Sequence, residues 1–310
     1  MATDCHSRPV LDPSTRGVHV SARAATATAA LAGFVGVLVL PTAAEAAQQH
    51  DTPVVIAHRG ASGYAPENTL QAIDKADKLG FDWVENDVQR TKDGRLVVIH
   101  DTNLARTTNV EQIFPGRAPY NVGDFTAAEI AKLDAGSWKG AEFAGARVPT
   151  LTRYLDRVDH NHQKLLMEIK APELYPGIEK DVLRVLGEEG WLNRDHVRNR
   201  LVIQSFSADS VRTVHERRPD ITTGFLGTPD VSDLPRYAQF ADQINPSNGT
   251  ISDWYVAAVH AFKGPHGKRL QLFTWTVNDA ATARRAAGLG VDGIITNVPD
   301  VVRKAVGGRE

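Results

Sequence analysis

Val54-Val55-Ile56-Ala57-His58-Arg59-Gly60, Trp83-Val84-Glu85-Asn86-Asp87 and Leu96-Val97-Val98-Ile99-His100-Asp101 share one design. Each is an apolar run that ends in residues able to do chemistry. Two histidines, two carboxylates at i and i+2, and an arginine thus collect where strands end. Such a set suits metal-assisted chemistry on a phosphate.

The last two runs are joined by Lys92-Asp93-Gly94-Arg95, which carries the Asp-Gly dipeptide of a two-residue hairpin turn. With Asp93 and Gly94 as the turn, Lys92 faces Arg95 and Asp87 faces His100. Directly opposed residues have Cβ atoms about 4.5–5.5 Å apart. Glu85 shares a strand face with Asp87, whereas Asn86 points to the other. A cation held by Glu85 and Asp87 is therefore expected beside His100.

Outward from this segment, nine strand-like runs alternate with helix-like ones. The runs are 54–58, 83–89, 96–100, 164–170, 201–206, 222–227, 243–246, 270–277 and 293–296. Asn68-x-x-Gln71 has the form of a capping box, and Gly80 can close that helix. Thr126-x-x-Glu129 starts a short helix to Leu133, and Asp279 to Gly290 reads as an alanine-rich helix. Apolar strands alternating with helices over some 250 residues predict an α/β fold, the (β/α)₈ TIM barrel. The hairpin at 93–94, near the second strand, supplies the ninth run. Residues 102–150 form a long connection with one short helix. It leaves from the His100 end and is expected to fold over the barrel mouth.

Residues 1–46 read as a signal peptide rather than as fold. Arg8, Arg16 and Arg23 precede an apolar stretch from Ala24 to Ala44, and Ala44-Glu45-Ala46 offers a small-x-small cleavage site. The dense apolar core spans residues 29–40, well short of the roughly 20 that cross a membrane. No adjacent arginines occur there, which favours general export over the twin-arginine route. Cleavage after Ala46 or Ala47 would release a secreted, extracytoplasmic chain with no stable membrane anchor. The only cysteine, Cys5, lies in the leader, so residues 47–310 must fold on core packing alone. A chain of that size buries roughly three quarters of its unfolded surface and needs no staples. The formal net charge of −2 asks for neither nucleic acid nor an anionic membrane surface.

Barrel active sites lie at the C-terminal strand ends. Further polar ends occur in Leu165-Leu166-Met167-Glu168-Ile169-Lys170, Val202-Ile203-Gln204-Ser205-Phe206, Phe273-Thr274-Trp275-Thr276-Val277-Asn278 and Ile294-Ile295-Thr296-Asn297. Glu85, Asp87 and Glu168 form a hard oxygen set. With no cysteine or His-x-x-x-His pattern beside them, the set favours one divalent cation, Mg²⁺ or Ca²⁺, over zinc. Arg59 offers a planar fork and Lys170 a point charge for phosphate oxygens. His58 and His100 can serve as acid and base near neutral pH. The remaining barrel histidines, His160, His162, His196, His215, His260 and His266, fall in helix or loop segments and read as surface.

His58-Arg59-Gly60, Glu67-Asn68-Thr69, Glu85-x-Asp87, His100-Asp101, Glu168-Ile169-Lys170, Gln204-Ser205-Phe206, Thr274-Trp275-Thr276-Val277-Asn278 and Asp292-Gly293-Ile294-Ile295-Thr296-Asn297-x-Pro299 follow one another in that order. Over about residues 53–303 this set closely resembles the glycerophosphodiester phosphodiesterase family. The resemblance implies a barrel and a divalent metal. It also implies hydrolysis of a small glycerophosphodiester substrate to glycerol 3-phosphate and an alcohol. It implies catalytic roles for His58 and His100, and metal on Glu85, Asp87 and Glu168. Phosphate is then expected near Arg59 and Lys170, with Glu67 buttressing Arg59. Trp275 and Phe206 would line the glycerol pocket. Asn86 departs from the family, which usually has an apolar residue there. Two alternatives stand beside this expectation. One is phospholipase D-type cleavage of lysophosphatidylcholine or sphingomyelin; the other is a non-catalytic phosphodiester-binding protein on the same fold. The head group and the oligomeric state are not legible.

Overall fold

Continuous apolar runs bury both strand faces, and the chain satisfies all of them by closing a sheet on itself. The computed structural model describes residues 51–307; the leader expected at 1–46 lies outside them. The strands are β1 (Val54–Ala57), β2 (Trp83–Arg90), β3 (Leu96–Val98), β4 (Lys164–Ile169), β5 (Leu201–Ser205), β6 (Thr222–Leu226), β7 (Gln243–Asn245), β8 (Gln271–Thr274) and β9 (Gly293–Thr296). Eight run parallel in the order β1-β9-β8-β7-β6-β5-β4-β2, and Ile56 opposite Trp83 closes β1 onto β2. Helices between successive strands cover the outside, giving the expected (β/α)₈ barrel.

Strand alternation divides the side chains between two layers. Ile56, Leu166, Val202, Phe273 and Ile295, with Trp83, pack together inside the barrel. Their neighbours Ala57, Val84, Leu165, Met167 and Ile203 point outward into the layer under the helices. On the inner face the next residues toward the mouth turn polar. Ile56 is followed by His58, Trp83 by Glu85 and Asp87, Leu166 by Glu168 and Lys170. The apolar floor thus ends where the chemistry starts. Asn86 belongs to the outward layer, as its alternation demands. It is completely buried, and neither amide atom has a partner.

The hairpin register differs from expectation by one residue. Val88 pairs with Val98 and Arg90 with Leu96, so Asp87 faces Ile99 rather than His100. The loop has three residues, Lys92-Asp93-Gly94, closed by Thr91 N donating to Arg95 O at 2.8 Å. Thr91 Oγ1 bonds Asp93 Oδ1 at 2.6 Å and accepts from Arg95 N, while Gly94 takes φ +78°. A left-handed glycine ending a three-residue loop is the alternative that Asp-Gly also serves.

The helix expected to be capped by Asn68 instead spans Leu70–Lys78 with Thr69 as N-cap, which accepts from Ala72 N. The Thr126–Glu129 capping box forms as expected, on helix Ala127–Ile130. The 102–150 connection holds more structure than one helix: α-helices Val110–Ile113 and Ala127–Ile130, and 3₁₀ turns Val122–Asp124 and Ala141–Phe143. Leu104, Val110, Val122, Phe125, Ile130 and Leu133 give it a small core of its own against Val97 and Ile99. It flanks the mouth beside the loop after β1, where Lys139 Nζ donates to Ser62 O at 2.8 Å. Among the described residues, no helix is long and apolar enough to cross a membrane.

Candidate active site

The site grows from the sharp turn after β1. His58 N donates to Thr296 O, after which Arg59 and Gly60 take φ +55° and +76°. A Cβ on Gly60 would lie 2.6 Å from Ala72, so only glycine turns the chain there. The turn aims Arg59 N at Glu85 Oε2 (2.8 Å) and sends the guanidinium across the mouth. Its Nη1 donates to Glu67 Oε1 at 2.9 Å, and its Nε lies 3.4 Å from Asp87 Oδ2.

Glu85, Asp87 and Glu168 present carboxylate oxygens that all lie within 4.8 Å of one another, and all three residues are buried. Asp87 Oδ1 has no hydrogen-bond partner, with Lys170 Nζ 3.6 Å away, whereas Glu168 Oε1 pairs with Lys170 Nζ at 2.9 Å. Burial first, then the neighbouring carboxylates, raises Glu85 well above the carboxylate range and Glu168 to about 8. Burial also opposes ionisation of Asp87, but Arg59, His100 and Lys170 outweigh it and hold this carboxyl below its usual value. Three crowded, buried carboxylates, one with an orphaned oxygen, are an arrangement that a bound cation would complete. The donor set is all oxygen, and it fits the expected Mg²⁺ or Ca²⁺ class.

The histidines flank this trio. His58 Nδ1 sits 2.6 Å from Asn297 Oδ1, which also accepts from Ser62 Oγ, and Nε2 lies 3.9 Å from Glu85 Oε2. An amide oxygen can only accept, so Nδ1 carries the proton and Nε2 is left facing the site. Burial, then Arg59, pushes His58 down to about 4. His100 Nδ1 meets Asp101 Oδ1 at 2.6 Å, and Nε2 meets Lys170 Nζ at 2.9 Å. Burial lowers His100 too, with Arg59 and Lys170 adding to the effect against the pull of Asp87. Despite the shifted hairpin register, His100 reaches the site because Gln89 gathers the chain beyond β3. The Gln89 Nε2 lies 2.8–3.0 Å from the carbonyls of Ile99, His100 and Asp101, and Tyr175 Oη donates to its Oε1.

Phe206 and Trp275 stand at the cleft, Trp275 packing at the same time against the inner barrel core. Phe206 is 49% exposed, lies under Lys170 Nζ at 5.4 Å, and meets Trp275 edge-on at 5.5 Å. Both line the cleft into which His58, Arg59, Glu85, His100, Glu168 and Lys170 also open. Sequence reasoning misses several supporting groups. Asn68 is not a cap; at φ +59° its Nδ2 donates to Asp87 Oδ2 at 2.8 Å. Gln89 and Asn297 hold the two histidine segments, and Arg106 joins Glu67 to Asp101. Gln89 had a signal in continuing the Glu85–Asp87 strand face, and Asn68 and Asn297 stand in the motifs of the resemblance without a readable role. Of the six histidines read as surface, three are part-buried. His196 packs on Trp191, His260 pairs with Asp292 at 2.8 Å, and His215 Nδ1 is enclosed without a partner.

A parallel barrel that gathers buried carboxylates, two imidazoles and two cations at its C-terminal mouth is equipped to act on an anionic ester. The chain belongs to the glycerophosphoryl diester phosphodiesterase family, whose sequence model matches residues 58–301. With the family comes the enzyme class, a hydrolase acting on glycerophosphodiesters. A glycerophosphodiester phosphodiesterase of Bacillus subtilis is 34% identical over 293 residues, covering 88% of this chain and 94% of the relative. One from Caldanaerobacter subterraneus is 36% identical over 265 residues, covering 80% and 96%. Among solved structures, a phosphodiesterase of Oleispira antarctica in complex with the product sn-glycerol-3-phosphate superposes with a TM-score of 0.71. It shares 27% identity and covers 83% of this chain and 98% of that one.

Proposed function

We propose that the protein hydrolyses small glycerophosphodiesters to glycerol 3-phosphate and an alcohol, with a divalent cation at Glu85, Asp87 and Glu168. The observation that carries this reading is the buried, mutually close carboxylate trio, with Asp87 Oδ1 unpartnered, set between two oriented histidines. A bound Mg²⁺ or Ca²⁺ would supply Lewis-acid polarisation of a phosphoryl oxygen and orientation of a substrate hydroxyl. Arg59 and Lys170 bind the remaining phosphate oxygens, the first as a fork and the second as a point charge. Phe206 and Trp275 wall the glycerol end of the cleft.

His100 acts as the base. Its Nδ1–H is directed at Asp101, and the approach of Lys170 to Nε2 marks that nitrogen as the one with the free lone pair. His58 acts as the acid through Nε2, its ring fixed by Asn297. Burial, then Arg59, disfavours the charged form of His58 in the free protein, and an anionic phosphate beside Arg59 would oppose the second of these. The nucleophile is either water or the neighbouring glycerol hydroxyl, the latter through a cyclic phosphate.

The decisive assay is release of glycerol 3-phosphate from glycerophosphocholine, with lysophosphatidylcholine run beside it. Activity on the first should vanish in a strong chelator and return with Mg²⁺ or Ca²⁺. Full activity in chelator would remove the metal assignment; preference for lysophosphatidylcholine would favour the phospholipase D-type alternative. We also propose that residues 1–46 direct export. N-terminal sequencing of the exported chain should begin within a few residues of Ala47, and a cell-retained chain that still carries Met1 would refute this.

A further inference from the structure

Arg106 stands outside the cleft, yet four of its hydrogen bonds reach the two carboxylates that steady the site. Its Nε and Nη2 donate to Asp101 at 2.5 and 3.0 Å, and its Nη1 and Nη2 donate to Glu67 at 3.0 and 2.6 Å. Each carboxylate has a second duty. Asp101 Oδ1 is the oxygen that holds His100 Nδ1, and Glu67 Oε1 is the oxygen that holds Arg59 Nη1. A single guanidinium therefore connects the support of the base to the support of the phosphate-binding arginine. Two cations and two anions alternate along this line, and both carboxyls lie below their usual range despite burial, with Arg106 a leading cause in each case.

We propose that Arg106 is a positioning residue for the hydrolysis. It clamps Glu67 and Asp101 together and so sets the orientation of Arg59 and His100 at the same time. The proposal rests on the roles given to those two groups above. Arg106 is the contribution of the 102–150 excursion to the chemistry. Its backbone is anchored by Leu104, which is fully buried in the excursion core, donates N–H to Tyr120 O, and accepts from Thr108 Oγ1. A solitary exposed ion pair contributes little, about 0–1 kcal/mol. Four bonds in a planar fork to two carboxylates that are themselves engaged are a different object, because geometry is transmitted through them. Lysine has one charged atom and cannot reproduce that fork. Losing the clamp leaves Asp101 and Glu67 close together with no cation between them, free to swing away from His100 and Arg59. Misplacement of catalytic groups by about 1 Å can cost about 10²-fold in rate.

The test compares Arg106→Met, Arg106→Lys, Asp101→Asn, His100→Ala and the double variant Arg106→Met/Asp101→Asn, with kcat, KM and melting temperature followed for each on glycerophosphocholine. Arg106→Met should lower kcat by about 10–10²-fold and raise KM, since base and phosphate support fail together. Arg106→Lys should recover little of either. The side chain is 45% exposed, so millimolar guanidinium ion should restore part of the Arg106→Met rate. The double variant should lose less kcat than the product of the two single losses, because Arg106 reaches His100 through Asp101 while its path to Arg59 runs separately through Glu67. A wild-type kcat and KM in Arg106→Met, with His100→Ala inactive, would overturn the proposal. So would a rate loss that tracks a fall in melting temperature and ignores guanidinium. Wild-type turnover in His100→Ala would remove the group that Arg106 serves, and both readings would fall together.

Discussion

His58→Ala and His100→Ala are each expected to lower kcat by at least about 10²-fold, the lower range for general acid–base groups. The two losses should have different characters. His100 is bracketed by Asp101 and Lys170, so its removal leaves a carboxylate and an ammonium facing a void from opposite sides. His58 is held by a neutral amide that Ser62 also engages, so its removal disturbs the charge pattern less. Melting temperature should therefore fall further for His100→Ala than for His58→Ala. The double variant should lose less than the product of the single losses, because acid and base serve one event. Initial rates of glycerol 3-phosphate release, with folding checked by melting, decide the matter. A wild-type rate in either single variant would refute that histidine's role.

Why these residues were legible, and others not, follows from where each lies. Strands buried on both faces announce themselves as apolar runs, so all nine stand where the sequence places them. The side chains at their ends inherit the strand alternation, and His58, Glu85, Asp87, Glu168 and Lys170 meet for that reason. The hairpin shows the limit of such counting. Asp-Gly serves both a two-residue turn and the end of a three-residue loop, and the choice between them lies in the Thr91–Asp93 hydrogen bond. One residue of slip moves a whole strand's side chains to the other face. His100 survives the slip only because it lies past the end of β3, where Gln89 sets the chain by its carbonyls.

Asn68 and Arg106 fail to declare themselves for another reason. Asn68 stands one residue before the true cap, and a capping pattern shifted by one looks the same in a sequence. Its left-handed backbone turns the amide toward Asp87, nineteen positions away. Arg106 sits in a loop with no period, and its partner Glu67 lies thirty-nine positions earlier. Nothing local marks Arg106, and nothing local gives Asn68 its role, because each acts through contacts that exist only after the barrel has closed.

Glu168→Gln and Lys170→Met are expected to separate two jobs that one strand end performs. Their side chains share the inner face of β4, with Nζ 2.9 Å from Oε1, so a structural ion pair is the competing explanation. Wild-type protein should melt higher when Mg²⁺ or Ca²⁺ is added, by roughly 5–10 °C at a hundred times the dissociation constant, where binding contributes about 2.7 kcal/mol. Glu168→Gln keeps the shape and removes one of three crowded carboxylates. In the absence of metal, relief of repulsion opposes the loss of the Lys170 contact, and stability should change little. The metal-induced rise in melting temperature should shrink, and excess metal should restore part of the rate. Lys170→Met keeps the stem but leaves Glu168 and Asp87 without their nearest ammonium. Its metal-free stability should fall, its metal-induced rise should persist or grow, and its turnover should stay low at every metal concentration. A pair that serves structure alone gives another pattern: both variants lose stability, both keep turnover, and neither alters the response to metal. Melting and rate measured along one Mg²⁺ and one Ca²⁺ titration distinguish the two, because only a metal ligand couples the carboxylate to the size of the metal-induced shift.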